Sequence, residues 1–171
     1  QGIDIEIKWN DFSGWLDEIS NKTPSINVAA QIGHGSLRAY VMGMEARSSS
    51  PEEIIKMQEE IRRSIDQGVL GFSTGLWYAP GSYSHTEEIV QLAKVASEKN
   101  LLYSSHIRSE SDDACGLFPA HAEAIEIARR TNARVQISHV KSVGPKFWGR
   151  GIELIEGGLD ILDVGGESTR P

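Results

Sequence analysis

Five histidines, one cysteine and a scatter of arginines and acids carry most of the chemistry this sequence offers. His106 and His139 are the informative pair. His106 closes the apolar run LLYSSHI (101–107), and His139 closes RVQISHV (134–140). Each run has strand length, and one helix-length stretch separates them, so the two histidines occupy matched positions at the ends of consecutive strands. Neighbouring parallel strands lie about 4.8 Å apart. Two imidazoles placed there can share one ion, and neutral imidazole suits Zn, Ni, Co or Fe better than Mg or Ca. The spacing leaves a second reading open, in which each histidine is a hydrogen-bonded residue capping a strand.

Other candidates follow the same strand ends. Ser73, Thr74 and Tyr78 follow one strand, Arg108 and Glu110 another, Lys141 a third, and Asp163, Glu167, Thr169 and Arg170 a fourth. His34 lies in Gly-His-Gly, which reads as a tight turn with the histidine bonded to backbone. His85 and His121 lie at helix starts and are expected to face solvent. Cys115 has no activating partner nearby in sequence, so a nucleophilic role is not expected of it. Glu110, Asp112 and Asp113 read first as a solvated acidic loop, with Glu110 a minor candidate for the site.

These residues need strands that deliver them to one side. Residues 9–20 predict a helix, 26–32 a buried strand, and Ser50-Pro51-Glu52-Glu53 a helix start with an N-cap, proline in the first turn and acids beside it. That helix carries Ile54, Ile55, Met57 or Gln58, Ile61 and Ile65 along one face and stops at Gly68. A strand over 69–73, a helix from Ser84 or Thr86 to about Asn100, strand 101–107, a helix from Pro119 to Thr131, and strand 134–140 follow. A helix over 147–156 and a fifth strand over 159–164 complete the pattern. Alternation at this spacing means an α/β parallel sheet with right-handed crossovers, either a partial (β/α) barrel or an open doubly wound sheet. No Gly-x-Gly-x-x-Gly follows the first strand, which weakens the dinucleotide-binding version. In a barrel all the strand ends named above open onto one face, where barrel enzymes keep their sites.

The chain has 171 residues, 39% of them hydrophobic and 24% charged. That length suits one domain spanning 1–171. A net charge of -7 argues against nucleic acid as the main partner. No apolar run reaches the ~18 residues of a membrane span. A lone cysteine excludes an internal disulfide framework and fits the reducing cytoplasm.

Several stretches together resemble the N-acyl-D-amino-acid deacylase (D-aminoacylase) branch of the amidohydrolase superfamily. They are NVAAQIGHGSLRAYVMG (27–43), GVLGFSTGLWYAPGSYSHTEEIVQLAKVA (68–96), SSHIRSE (104–110) and VQISHVKSVGPKFWG (135–149), in family order over about residues 26–150. The resemblance implies a distorted TIM barrel that binds zinc and hydrolyses N-acyl-D-amino acids to a carboxylate and a D-amino acid. It implies that His106 and His139 are metal ligands, that Tyr78 and Arg108 bind substrate, and that His34 and Arg38 are structural. The family also carries an earlier His-x-His, a bridging ligand and a late aspartate as general base, and none of these is matched here. From about Gly151 the sequence GIELIEGGLDILDVGGESTRP resembles dihydropteroate synthase, which implies phosphate-side contacts for Thr169 and Arg170. The expectation is therefore a fragment or chimera of such a deacylase, inactive alone, with a non-catalytic β/α barrel fragment as the alternative and a pterin- or phosphate-binding transferase fragment as a third reading. It is expected to self-associate through an exposed sheet edge or an apolar inner face bearing Val135, Ile137, Ile161 and Val164.

Overall fold

The computed structural model describes residues 7–150 and Glu153. Thr169, Arg170 and the expected fifth strand lie outside the described residues.

Strands and helices alternate as the sequence predicts, except that a helix not expected is added at His34–Met42 and a 3-10 turn at Pro145–Phe147 stands where the helix expected over 147–156 would begin. Helix α1 spans Phe12–Asn21, β1 Ile32–Gly33, α2 His34–Met42, α3 Pro51–Asp66 and β2 Gly71–Gly75. Helix α4 then spans Thr86–Ser97, β3 Leu102–His106, α5 Leu117–Thr131 and β4 Arg134–Ile137. The four strands form one parallel sheet in the order β1-β2-β3-β4, so strand order follows chain order. This is an α/β fold of the partial (β/α) barrel kind. No described helix is long and apolar enough to cross a membrane.

Local chemistry explains the clearest boundaries. Ser50 caps α3 in a full capping box: its side chain accepts from the Glu53 amide, and the Glu53 carboxylate accepts from the Ser50 amide. The buried stripe of α3 is Met57, Ile61 and Ser64, at i, i+4 and i+7. Ile55 falls off that stripe and stays exposed, contrary to the apolar face expected.

Register sorts the two faces of the sheet. Ile32, Phe72, Tyr103 and Val135 are aligned across the four strands. They pack with Leu37, Met57, Ile61, Ile89, Leu92 and Ile127 from the helices. The neighbouring row is Gly33, Ser73, Ser104 and Gln136. Side chains alternate faces along a strand, so this row lies on the face away from the helices. There the Gln31 amide donates to Ser104 Oγ at 2.9 Å, and Ser104 Oγ lies 3.5 Å from Gln136 Oε1. The expected apolar inner face is thus corrected. Val135 belongs to the helix side, and Ile137 is fully buried beside Ile107, Leu117, Ala120 and Ala124.

The strand expected over 26–32 shrinks to Ile32–Gly33. Among the described residues only one edge of this segment is paired, through the Leu70 amide donating to the Ala30 carbonyl and the β2 ladder. Ile26 and Val28 are exposed, so burial does not hold that stretch in the sheet.

Candidate metal centre

Three strand ends converge on one place. His106 is the last residue of β3 and shares the face of Ser104, two residues earlier, away from the helices. His139 follows β4, where the Ser138 amide still donates to the Ser105 carbonyl and extends the ladder. At His139 the backbone turns to φ +39°, a left-handed conformation that costs a non-glycine residue free energy. Tyr78 follows β2, whose end is tied to β3 by the Leu76 amide donating to the His106 carbonyl.

The two imidazoles stand edge to face with ring centroids 4.5 Å apart. His106 Nε2 lies 3.3 Å from the Tyr78 hydroxyl. Its Nδ1 is buried and makes no hydrogen bond among the described residues. Burial is the main influence on His106 and lowers its pKa; His139 and Lys141 push the same way, and Glu110 opposes them. The neutral ring, the form that ligates a metal, is therefore favoured.

Glu110 is the residue that sequence reasoning undervalued. Its side chain is 12% exposed, not solvated. Oε1 lies 3.2 Å from His139 Nδ1, 3.8 Å from His106 Nδ1 and 2.8 Å from Lys141 Nζ. Its backbone carbonyl accepts from the Val143 amide, which fastens the loop after β3 to the loop after β4. One ligand atom from each of His106, Glu110 and His139 fits within 4.8 Å of the others, as a shared ion requires. The available signal was the i, i+4 spacing from His106 to Glu110, obscured by the acidic run around it.

Arg108 lies beside this group but faces another way. Nε and Nη2 donate to the two oxygens of Glu123, at 2.9 and 2.8 Å, and Nη1 reaches the Ser82 carbonyl at 3.3 Å. Thr86 Oγ1 also donates to Glu123. The pair thus joins β3's exit, α5 and the segment between Tyr78 and α4.

The remaining histidines depart from expectation, apart from exposed His85. His34 opens α2 instead of sitting in an isolated turn, and it is fully buried with Nε2 2.7 Å from Glu88. Arg38 donates twice to Glu88 from the next helical turn, which makes both residues structural. His121 is 2% exposed. It falls on the buried stripe with Leu117, Ala120 and Ala124, and its Nδ1–H donates to the Leu117 carbonyl at 2.9 Å. Cys115 is exposed, and its thiol pKa is raised, by burial first and by Glu123 second, which leaves it no activated nucleophile.

No family model matches the chain. Curated and solved proteins do. N-acyl-D-glutamate deacylase of Alcaligenes xylosoxydans xylosoxydans is 32% identical over 170 residues, which takes in 93% of this chain and 34% of that protein. D-aminoacylase of the same organism is 32% identical over 160 residues, which takes in 92% of this chain and 32% of that protein. The crystal structure of N-acyl-D-glutamate deacylase from Bordetella bronchiseptica, complexed with zinc and a phosphonate mimic of the tetrahedral intermediate, superposes with a TM-score of 0.82. It is 34% identical, over 90% of this chain and 34% of that one. A D-aminoacylase solved for the role of its binuclear metal centre gives the same TM-score at 32% identity, over 90% of this chain and 33% of that one. The chain spans about a third of the length of the D-aminoacylases it matches. The matched share is larger than 26–150 alone, and nothing in these comparisons supports the synthase likeness of 151–171.

Proposed function

We propose that this chain carries the two-histidine part of the metal site of an N-acyl-D-amino-acid deacylase. The observation that carries the reading is the meeting of His106 and His139 at 4.5 Å on adjacent strand ends. The donor set fits zinc: two imidazoles, a carboxylate beside them, and a buried ring nitrogen without a partner. A bound Zn²⁺ supplies a Lewis acid for the amide carbonyl and lowers the pKa of a coordinated water to about 7.

The chain's own residues then have distinct tasks. His106 offers its unpartnered Nδ1, since Nε2 faces Tyr78. His139 offers Nε2, since Nδ1 faces Glu110. Tyr78 is 58% exposed and brings a hydroxyl to the edge of the site, within reach of a substrate carbonyl or carboxylate. Lys141 places an ammonium beside the rings, suited to the carboxylate of an N-acyl amino acid. Arg108 has its donors engaged by Glu123 and Ser82, so its contribution to substrate binding runs through the Tyr78 segment it holds.

Catalytic zinc sites usually have three protein ligands, and amide hydrolysis needs a general base. The bridging ligand and aspartate implied by the family resemblance are unmatched, so turnover by this chain alone is expected to be slight. The test is release of free D-amino acid from an N-acetyl-D-amino acid, with its L-enantiomer as control, together with metal analysis. Bound zinc with little or no turnover is the expected result. Failure to bind zinc overturns the metal-site reading. A rate near that of whole deacylases, abolished by His106→Ala, overturns the incompleteness reading.

We also infer self-association through a sheet edge. β1 and β4 are each paired on one side only among the described residues, and Ile26, Val28 and Tyr40 are exposed near the β1 edge. Sedimentation velocity at low micromolar concentration should give a dimer or larger species, and a monomer would contradict the inference.

A further inference from the structure

Lys141 holds a position that an incoming ion needs. Its ammonium lies 2.8 Å from Glu110 Oε1 and 3.3 Å from His139 Nδ1, and Oε1 is itself 3.2 Å from that nitrogen. An ammonium has only hydrogens to give, so Nδ1 of His139 accepts, and a neutral ring that accepts at Nδ1 carries its proton on Nε2. Of the three side chains that meet here, two are already turned to this cation. The third, His106, keeps its buried Nδ1 without a hydrogen bond among the described residues.

Either way of ligating through His139 breaks the lysine contact. Through Nδ1, the ion takes the place of the ammonium. Through Nε2, the ring proton moves to Nδ1, and an N–H there cannot accept from Lys141. In both cases a divalent charge beside a fixed ammonium in a partly buried site is repelled until the ammonium swings out. The side chain suits that motion: its charge rides on a flexible four-carbon stem, and the residue is part-exposed.

We propose that Lys141 is a stand-in cation of the metal centre, bound to Glu110 and His139 in the metal-free chain and displaced when the ion enters. The inference rests on the metal-site reading above and adds a gate to it. Ion uptake then frees the Lys141 ammonium, so the charge suited to a substrate carboxylate becomes available only in the loaded site. The gate spans two loops, since Glu110 follows β3 while His139 and Lys141 follow β4, and the Val143 amide donating to the Glu110 carbonyl holds the loops together.

Two measurements on the whole chain test this. Long-range proton–nitrogen NMR reads the His139 tautomer in metal-free wild type at about pH 8, where an ordinary imidazole is neutral. The Nε2–H form is expected, and the Nδ1–H form overturns the proposal; this arm needs no variant. Cobalt(II) titration then compares wild type with Lys141→Met, and with Lys146→Met as a charge control, after circular dichroism shows each folded. Lys146 follows β4 as well but pairs with Asp112, at 3.6 Å. Lys141→Met is expected to bind Co²⁺ about 10-fold more tightly, because one charge-assisted hydrogen bond no longer has to break. Lys146→Met should stay near wild type. Equal affinity of wild type and Lys141→Met, or an equal gain in both variants, overturns the proposal. No Co²⁺ bound by wild type or by Lys141→Met removes the metal-site reading and the proposal with it. A His139 that still reads Nε2–H tells that failure apart from a wrong lysine contact.

Discussion

His106 and His139 approach edge to face with ring centroids 4.5 Å apart, at the exits of neighbouring parallel strands. Two imidazolium ions at that distance repel, and burial already disfavours the charged form of His106. In the metal-free chain His106 should titrate below the ordinary 6.5. The unfolded chain then takes up that proton first, so the site's contribution to stability falls as pH drops below about 6.5. Ring proton shifts followed by NMR measure this directly. His139→Asn should raise the His106 value, and no change would mean the rings do not sense each other.

The His34–Arg38–Glu88 network is a second pH-dependent element. Burial raises the Glu88 pKa, but hydrogen bonds from His34, Arg38 and Ser49 more than offset it and hold the carboxyl at about 2. That value is below the ordinary 4.5, so the stabilisation is present above about pH 4.5 and is lost as pH falls toward 2. Glu88→Gln strands the buried Arg38 charge and should cost about 3–5 kcal/mol at neutral pH. Urea unfolding at about pH 7 and about pH 3 should show the gap between variant and wild type narrowing in acid. A gap of constant size would place the stabilisation elsewhere.

Core substitutions should separate packing from polar terms. Ile127 is fully buried against the sheet, and Ile127→Ala should cost about 2–5 kcal/mol. Tyr103 is equally buried, and its hydroxyl lies 3.0 Å from Thr74 Oγ1, which keeps Ser105 as another partner. Tyr103→Phe should therefore cost only about 0.5–1.5 kcal/mol. Denaturant unfolding measures both, and the reverse order would contradict the assigned packing.

The Arg108–Glu123 pair should behave as one unit. Arg108→Lys and Glu123→Gln each remove half of a bidentate contact, worth about 1.5–3 kcal/mol for hydrogen bonds to charged groups. The double variant should cost clearly less than the two losses added together, because both singles break the same contact. Additive losses would show that the two side chains act independently.

Much of this was legible in the sequence. The α3 start was written in Ser50-Pro51-Glu52-Glu53, and the strand-end positions of His106 and His139 followed from two apolar runs. What escaped the sequence depended on register and on contacts far apart in the chain. Val135 was expected on an inner apolar face, but alternation around Ser104 and Gln136 turns it toward the helices. Glu110 looked like one acid among several, because Lys141 and His139 lie about thirty residues away and only folding brings them to it. His121 looked exposed at a helix start, yet the buried stripe of α5 includes its first turns. A short edge strand hid in 26–32, since apolar residues without a covering partner read the same as buried ones.

Zinc stoichiometry in competition with a chromophoric chelator tests the central claim most directly. The account predicts that the wild-type chain takes up zinc at one site, and that His106→Ala and His139→Ala each abolish it while the fold survives. Wild-type protein that takes up no zinc, or single variants that bind it as well as wild type, would contradict the assignment of His106 and His139 as the ligands.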